Sequence, residues 1–264
     1  MTPAVNGNGS ALLRPVYRIY EERLLRSLDH ARLPRHIGVI HDGHRRFARL
    51  AGLPDYASSY RAGMDKFVEF LGWCRELEVP ALTCWLLSQE NLERPADELN
   101  PYYDVLVDLF DRLPVAAGPD LRVGVIGSLH LLPDRLRESA ERLAAGSSSG
   151  GRRLTIALAY GGRQEIVDAV RDLIGKLAAE GLEPEEIAGA IDAGAIASHL
   201  YTADLPDPDL VIRTSGESRL SGFLLWQAAY AEYSFVDVHW PGFRRVDFLR
   251  ALRDFTRRER RFGK

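Results

Sequence analysis

Six short apolar runs, each bounded by turn residues, alternate along this 264-residue chain with longer stretches of helical periodicity. Several of the runs are continuously apolar, which is typical of strands buried on both faces of a parallel sheet. Strands that alternate with helices imply right-handed crossovers and helices on both faces of the sheet. The sequence therefore predicts a single-domain α/β fold in which six strands form a mostly parallel sheet.

The element bounds follow from these patterns. The predicted strands are residues 36–40, 81–87, 121–126, 154–159, 209–213 and 234–238, and the predicted helices are residues 60–78, 96–113, 133–145, 163–180, 220–231 and 246–258. An amphipathic stretch at residues 12–28 contains glutamates as well as arginines, which favours a helix on the domain edge over one on a membrane surface. We expect residues 1–10 to be a disordered tail and residues 11–264 to form one catalytic domain.

Composition narrows the class of protein. The chain has 34 Lys and Arg against 37 Asp and Glu, and a nucleic-acid-binding protein would carry a basic excess. The longest strongly apolar stretch, residues 223–231, is too short to span a bilayer, and residues 1–10 lack the apolar segment of a signal peptide. We therefore expect a cytoplasmic enzyme whose membrane contact, if any, is peripheral. Cys74 and Cys84 fall in apolar patterns and are expected to be buried free thiols.

The segment after the first predicted strand is the most informative for chemistry, because parallel sheets bind ligands at the carboxyl ends of their strands. This segment, residues 41–46, has the sequence HDGHRR. Its two arginines offer bidentate forks to phosphate oxygens. Its aspartate can face phosphates only if a cation bridges them, and Mg²⁺ is the usual one. A solvated turn with charges of both signs is the alternative.

Polar segments also follow the second, fourth and fifth predicted strands. Residues 88–95, SQENLERP, offer hydroxyl, amide and guanidinium groups, although they could simply cap a helix. Residues 160–163, YGGR, lead into a helix whose N-terminus favours anions, or form only a tight turn. Residues 213–221, RTSGESRLS, combine two arginines and several hydroxyls in front of a predicted helix, which suits a diphosphate.

Several common sites have no sequence signature here. The chain contains neither GxGxxG nor GxxxxGK[ST], which disfavours ordinary dinucleotide and nucleoside triphosphate sites, and it contains no GxSxG elbow of a hydrolase. His41 and His44 are the only closely spaced histidines. Their spacing would suit zinc on one helix, but the two residues span a predicted strand-to-helix turn, so zinc is disfavoured.

Taken together and in this order, these segments resemble those of the cis-prenyltransferases, the undecaprenyl diphosphate synthase family. The resemblance extends from about Leu33 to Gly263 and rests on HIGVIHDGHRRFAR, LLSQENLERP, LAYGGRQEIVDA, PDPDLVIRTSGESRLSGFLLWQAAYAEYSFVDVHWP and RRERRFG. It implies a homodimeric enzyme with a Rossmann-like six-stranded parallel sheet. Such an enzyme condenses isopentenyl diphosphate with an allylic diphosphate, uses Mg²⁺ and forms a cis double bond.

The resemblance also implies residue roles. Asp42 would be the metal-linked catalytic carboxylate, and Glu232 would support the Mg²⁺. Asn91 would be a catalytic residue near the reacting centre. The substrate-binding positions would be Gly43 and Arg46 for the allylic diphosphate, Ser88 and Arg94 around the reacting centre, and Arg213, Arg219 and Ser221 for isopentenyl diphosphate. Arg261 and Gly263 would reach into the site of the partner subunit.

The chain departs from the family pattern at several positions. His44 stands where an asparagine is usual, and it could act as a catalytic general base or only keep a hydrogen bond. Phe47 replaces the usual tryptophan among the substrate-binding residues. Asp55 and Tyr60 stand near positions where many members have an arginine and a histidine, which puts part of the allylic diphosphate contact in doubt. Arg45 stands where long-chain members commonly have glycine, and it could compensate.

Leu86 is a further departure, at a position that is commonly alanine in long-chain members. The resemblance places the second strand along the hydrophobic tunnel into which the product grows. A bulky leucine there predicts a short product of about fifteen carbons, because overpacking a tunnel is unfavourable. An ordinary core leucine is the alternative.

Two other functions stay open on the same fold. One is an irregular coupling of two allylic units, which the retained RTSGESRLS segment disfavours. The other is a non-catalytic subunit of a heteromeric prenyltransferase, which the retained Asp42, Arg46, Arg213 and Arg219 disfavour.

Residues 244–264 carry nine basic and three acidic residues, so the net charge of −3 conceals a basic segment on an acidic body. That distribution suits small anionic substrates better than a polyanion.

Overall fold

A computed structural model describes residues 9–118, 120–147 and 150–258 of the chain. The strands in these residues are β1 (His36–Ile40), β2 (Ala81–Trp85), β3 (Leu121–Ile126), β4 (Arg152–Ala157), β5 (Leu210–Thr214) and β6 (Glu232–Val236). They form one sheet in the spatial order β3-β4-β2-β1-β5-β6, and every pair of neighbours is parallel. The predicted α/β class and six-stranded parallel sheet are confirmed.

Burial follows the position of each strand in the sheet. Every residue of the central strands β1, β2 and β5 is buried, whereas the edge strand β6 is partly exposed. The strands β4 and β6 begin two residues earlier than predicted, at Arg152 and Glu232, because their pairing starts on polar residues that an apolar pattern does not detect. The strand β2 ends at Trp85, because the next two amides both donate to the carbonyl of Ala157.

Helices cover both faces of the sheet. Those in the described residues are α1 (Gly9–Arg26), α2 (His44–Leu50), α3 (Tyr56–Glu76), α4 (Ala96–Ala117), α5 (Asp134–Ala145), α6 (Gly162–Ala179), α7 (Pro184–Ala190), α8 (Ala193–Ala197) and α9 (Arg245–Arg257). The short helices α2, α7 and α8 have no counterpart among the predicted elements, since two turns or fewer show little periodicity. The predicted tail overlaps α1 by two residues, and residues 1–8 lie outside the described part of the chain.

The predicted helix over residues 220–231 is wrong. Residues 221–230 form consecutive turns, in which Ser221, Gly222 and Leu224 have φ angles of +50°, +89° and +45°. Residues with positive φ cannot continue a right-handed helix. The apolar spacing that suggested a helix instead places Phe223, Leu224 and Ala228 in a small buried cluster beside the sheet.

Two hydrophobic clusters form the core of the described part of the chain. The larger one joins the sheet to α3, α4, α5 and α9, and the smaller one contains Ile40, Trp85 and Tyr160 near the carboxyl ends of the strands. Cys74 and Cys84 are buried and unbonded, as predicted. Among the described helices, none has both the length and the apolar character that crossing a bilayer requires.

Candidate active site

A cavity of about 770 Å³ lies at the carboxyl ends of β1, β2 and β5, the edge of a parallel sheet where ligands bind. Twelve residues that the sequence analysis singled out line it: Asp42, Gly43, His44, Arg45, Arg46, Leu86, Ser88, Asn91, Arg94, Arg213, Arg219 and Ser221. The fold thus brings together segments that are as much as 179 positions apart in the numbering of the chain.

Asp42 follows β1 and is held by a buried arginine of β5. The Nη2 of Arg213 donates to Oδ2 of Asp42 at 2.8 Å, and only 4% of the Arg213 side chain is exposed. Burial raises the pKa of Asp42, but the hydrogen bond and the positive charge of Arg213 together lower it more, so the net pKa lies below its usual value. Asp42 is therefore an ionised carboxylate at neutral pH.

Arg213 also organises the turn segment that follows β5. Its Nη1 donates to Oγ of Ser221 at 2.8 Å and to the carbonyl of Arg219. Because residues 221–230 are not helical, no helix N-terminus supports anion binding here. The groups that this segment offers to an anion are the guanidinium of Arg219, 69% exposed, and the hydroxyl of Ser221.

The start of α2 brings backbone close to the same region. Gly43 has a φ of +104°, and a Cβ there would lie 2.7 Å from Nδ1 of His239 and 2.9 Å from Cβ of Ser215, so only glycine fits. One turn later, Nη2 of Arg46 donates to Oγ of Ser215 at 2.6 Å. Nη1 of Arg46 lies 3.1 Å from Oε1 of Glu217. An arginine of α2 is thereby oriented by the segment after β5.

The opposite wall is organised by one carboxylate of α4. Oε1 of Glu98 accepts hydrogen bonds from the hydroxyl of Tyr60 at 2.8 Å and from Nη1 of Arg94 at 3.2 Å. Nη1 of Arg45 lies 3.7 Å from Oε2 of Glu98. Arg94 in turn donates from Nη2 to Oδ1 of Asn91 at 2.6 Å. These contacts fix two predicted substrate-binding arginines and the predicted catalytic asparagine in one wall.

His44 is buried beside Asp42, with 8% of its surface exposed. Its Nδ1 lies 3.4 Å from the carbonyl of Ser59, which can only accept, so the neutral ring carries its proton on Nδ1. Nε2 then has a lone pair, and no described residue bonds to it. Burial lowers the pKa of His44 to about 4, so the ring is neutral at physiological pH.

The cavity also has lining residues that the sequence analysis did not assign: Ile40, His41, Arg49, Tyr60, Trp85, Glu90, Tyr102 and Glu217. Helical spacing in the sequence could have identified some of them. Arg49 lies one turn after Arg45 on α2, and Tyr102 lies one turn after Glu98 on α4, so each pair shares a helix face. With Arg49 included, six arginines and three carboxylates line the cavity within the described part of the chain.

Two predicted positions lie elsewhere. Phe47 is on α2 but does not line the cavity, and its ring is 3.6 Å from where a Cβ of Gly242 would be. Glu232 begins β6 at the amino ends of the strands, and its Oε2 accepts a hydrogen bond from Nη1 of Arg258 at 3.0 Å. Asp42 lies beyond the carboxyl ends, so the two carboxylates of the predicted metal pair do not meet within one chain.

The last two predicted positions, Arg261 and Gly263, lie outside the described residues. Within those residues, no group of three or more His, Cys, Asp or Glu side chains is placed to hold a metal ion. Asp42 is the predicted metal ligand that the cavity contains, so a bound cation would take its other ligands from substrate and water.

Comparisons with known proteins agree with this geometry. Residues 40–263 match the family model described as "Putative undecaprenyl diphosphate synthase". The (2Z,6E)-farnesyl diphosphate synthase of Mycolicibacterium smegmatis is 49% identical over 259 residues, covering 96% of this chain and 97% of that protein. The tritrans,polycis-undecaprenyl-diphosphate synthase (geranylgeranyl-diphosphate specific) of Methanopyrus kandleri is 46% identical, covering 96% and 93%.

A solved structure gives the same result at the level of the fold. The lavandulyl diphosphate synthase of Lavandula x intermedia, crystallised with dimethylallyl diphosphate, superposes with a TM-score of 0.80 at 31% identity. The match covers 88% of this chain and 99% of that one. The family resemblance of the sequence motifs is therefore confirmed across nearly the whole length, and the chain is a prenyltransferase that belongs to the undecaprenyl diphosphate synthase family.

Proposed function

We propose that this chain is a short-chain cis-prenyl diphosphate synthase that condenses isopentenyl diphosphate with an allylic diphosphate. The observation that carries the proposal is one cavity that six arginines and ionised Asp42 line and in which Ile40, Trp85 and Leu86 supply apolar lining. Two diphosphates bring several negative charges into one cleft, and arginine forks suit their oxygens. Relatives named (2Z,6E)-farnesyl diphosphate synthase support a short product.

The two substrates would occupy different sides of Asp42. The allylic diphosphate would lie against Gly43 and Arg46, where the missing side chain lets the ligand approach the backbone. Isopentenyl diphosphate would lie against Arg219 and Ser221. Buried Arg213 would act indirectly, because its hydrogen bonds hold both Asp42 and Ser221 in place. Fixed donors of this kind bring the reacting carbons together and are not reorganised during the reaction.

Asp42 also fits the Mg²⁺ that the family motifs imply. Its Oδ2 is hydrogen-bonded to Arg213, whereas Oδ1 lies 3.8 Å from Nη2 of Arg46, beyond hydrogen-bond distance, so Oδ1 can bind a cation. Mg²⁺ prefers few carboxylates together with phosphate oxygens and water. When bound, Mg²⁺ would supply Lewis-acid stabilisation of the departing diphosphate. Chelation by EDTA should abolish turnover, and added Mg²⁺ should restore it.

We assign the final proton transfer to His44. After the new carbon–carbon bond forms, the isopentenyl unit must lose a proton. His44 lines the cavity, and its buried Nε2 carries a lone pair to which no described residue bonds. A purely orienting role is the alternative. His44→Asn should lower kcat and change the pH profile of kcat. Unchanged turnover with an unchanged profile would leave His44 no role as a base.

We further propose that the active enzyme is a cytoplasmic homodimer in which Arg261 and Gly263 complete the site of the partner subunit. The contact between Arg258 and Glu232 supports this, since it ties the chain three residues before Arg261 to the edge strand. Mixed dimers of Asp42→Ala and Arg261→Ala should regain activity, because one of their two sites has both native residues. Failure of mixing to restore any activity would contradict the shared site.

One assay tests the reaction itself. The purified protein is incubated with Mg²⁺, radiolabelled isopentenyl diphosphate and dimethylallyl, geranyl or farnesyl diphosphate, and products are analysed for length and double-bond geometry. We expect a short product with a cis bond, and none from Asp42→Ala. An arm with dimethylallyl diphosphate alone tests the alternative, irregular coupling of two allylic units. No product in any arm would overturn the proposal in favour of a non-catalytic subunit.

The same assay tests the predicted role of Leu86. Leu86 is 6% exposed, and it lines the cavity immediately after β2. Leu86→Ala should lengthen the product mixture, because truncation leaves space for additional carbons. An unchanged short product would mean that Leu86 is an ordinary core residue or that another group sets the length.

A further inference from the structure

Two tyrosine rings from different helices form part of the cavity wall. Tyr60 of α3 and Tyr102 of α4 both line the cavity, and their ring centroids are 4.2 Å apart at an interplanar angle of 31°. They are 2% and 3% exposed. Two large rings in contact therefore close the space between α3 and α4.

Hydrogen bonds fix both rings to the cavity walls. The hydroxyl of Tyr102 donates to the backbone carbonyl of Leu86 at 2.5 Å, and the hydroxyl of Tyr60 donates to Oε1 of Glu98 at 2.8 Å. Burial raises the pKa of both phenols, so both stay protonated and can donate. Rotation of the Tyr102 ring would remove this donor from the Leu86 carbonyl, which is unfavourable for a buried acceptor. The pair is thus a stiff surface.

Behind the rings the helices present solid core. Met64 and Phe67 follow Tyr60 at helical spacing on α3, and Leu106 and Leu109 follow Tyr102 on α4. All four side chains are fully buried and belong to the main hydrophobic cluster. Beyond the tyrosines, the interhelical space is therefore occupied by side chains and leaves no room for a ligand.

We propose that Tyr102, supported by Tyr60, is the floor of the hydrocarbon site and sets the maximum length of the prenyl chain. This inference rests on the proposed function and adds the specificity-determining residue. Leu86 forms the side wall whose carbonyl Tyr102 holds, so Tyr102 limits depth and Leu86 limits width. A growing chain stops when its distal carbons meet the Tyr102 ring, because packed interiors yield little to extra methylenes.

Tyr102→Leu tests the proposal, with Tyr103→Leu as the matched control. Both substitutions remove a buried ring from neighbouring positions of α4, but Tyr103 does not line the cavity. With allylic primers of increasing length, Tyr102→Leu should extend the product by one or more isoprene units. It should also raise kcat/KM for the longest primer about tenfold or more, since pockets discriminate by such factors per group. Tyr103→Leu should keep the parental product length.

Other variants keep the test decisive if Tyr102→Leu does not fold. Tyr102→Met fills the same space with a flexible chain and should give a mixture with longer products. Lengthening by Leu86→Ala but by neither Tyr102 variant would overturn the proposal, as would equal lengthening by Tyr103→Leu. Failure of the proposed function is a separate outcome, because the parental enzyme would then yield no condensation product from any primer.

Discussion

The two walls of the cavity differ in how their backbone is built. Next to β5, the chain leaves regular structure, and Ser215 and Ser221 have φ angles of +80° and +50° around buried Arg213. The opposite wall consists of the regular helices α2, α3 and α4, which contribute side chains at one-turn spacing. Unusual backbone surrounds the buried Arg213, whereas regular helices carry Arg45 and Arg46 together with the two buried tyrosines.

This difference separates two kinds of consequence. We call the irregular segment after β5, residues 213–221, the turn-built wall, and the side formed by α2, α3 and α4 the helical wall. A change in the turn-built wall should alter binding and catalysis, since Arg213 contacts both Asp42 and Ser221 directly. A change at a buried apolar or tyrosine side chain of the helical wall should alter product length or stability, since these side chains are packed against the core. Substitutions of matched chemistry in the two walls can therefore test this distinction.

Arg213→Lys should have the largest effect. Lysine keeps the charge but offers one ammonium group in place of a planar fork, so it cannot bond Asp42, Ser221 and the Arg219 carbonyl together. We expect kcat/KM to fall by about 10²–10³, the size of effect seen when a preorganised donor is lost. Steady-state kinetics with isopentenyl diphosphate measures this, and circular dichroism checks the fold.

Arg142→Lys is the matched control for this experiment. Arg142 is on α5, and its side chain is 65% exposed. The Arg142→Lys substitution should leave kcat/KM unchanged. If Arg213→Lys retained nearly parental kcat/KM, the fork geometry of the turn-built wall would be unimportant, and the contrast between the walls would fail.

In the helical wall, we expect the largest effect on stability at acidic pH, where His44 becomes protonated. Burial holds the pKa of folded His44 at about 4, against 6.5 for an exposed histidine, so the unfolded chain binds the proton more readily. The stability contributed by neutral His44 is complete above pH 6.5 and is lost as the pH falls towards 4, by about 3 kcal/mol in total. Urea unfolding at pH 7 and pH 4.5 measures the loss.

In this experiment, His44→Asn should lose less free energy of unfolding between the two pH values than the parent. Some acid dependence will remain in both, because burial also lowers the pKa values of His36 and His41. His130→Asn, at an exposed site, should behave like the parent. An equal loss in His44→Asn and the parent would show that His44 does not resist protonation.

The contrast between the walls also shows what a sequence can predict. The bounds of β1 and β3 follow from apolar runs between turn residues, and the polar segments after β1, β2 and β5 meet because parallel strands share one carboxyl edge. The turn-built wall is different. Residues 220–231 have helical apolar spacing, and nothing in that spacing shows that Ser221 and Leu224 adopt positive φ.

Two other placements show what the sequence could and could not have predicted about the site. Glu232 begins a parallel strand and Asp42 follows one, so their separation to opposite edges of the sheet could have been inferred from their positions relative to the strands. The sequence PYYDV, by contrast, contains two equivalent tyrosines. Only the rotational phase of α4 in the folded chain makes Tyr102 line the cavity and leaves Tyr103 in the core.

Glu217→Gln should have the smallest effect, and it tests where the two walls are joined. Oε1 of Glu217 is 3.1 Å from Arg46 of α2, and Oε2 is 3.0 Å from Arg219 after β5. Partly exposed ion pairs contribute at most about 1 kcal/mol each. An incoming diphosphate must replace Glu217 at both arginines, so removing the carboxylate charge should lower the Kd for inorganic diphosphate by about two- to fivefold.

Calorimetric titration with inorganic diphosphate measures this, with the exposed Glu180→Gln as the control. A higher Kd in Glu217→Gln would mean that the carboxylate holds the two forks in their binding orientation and does not compete with the ligand. The helical wall would then depend on the turn-built wall for its charge geometry, because Arg46 would owe its position to Glu217 and Ser215. A lower Kd would mean that each wall holds its own arginine and that Glu217 only screens them until substrate arrives.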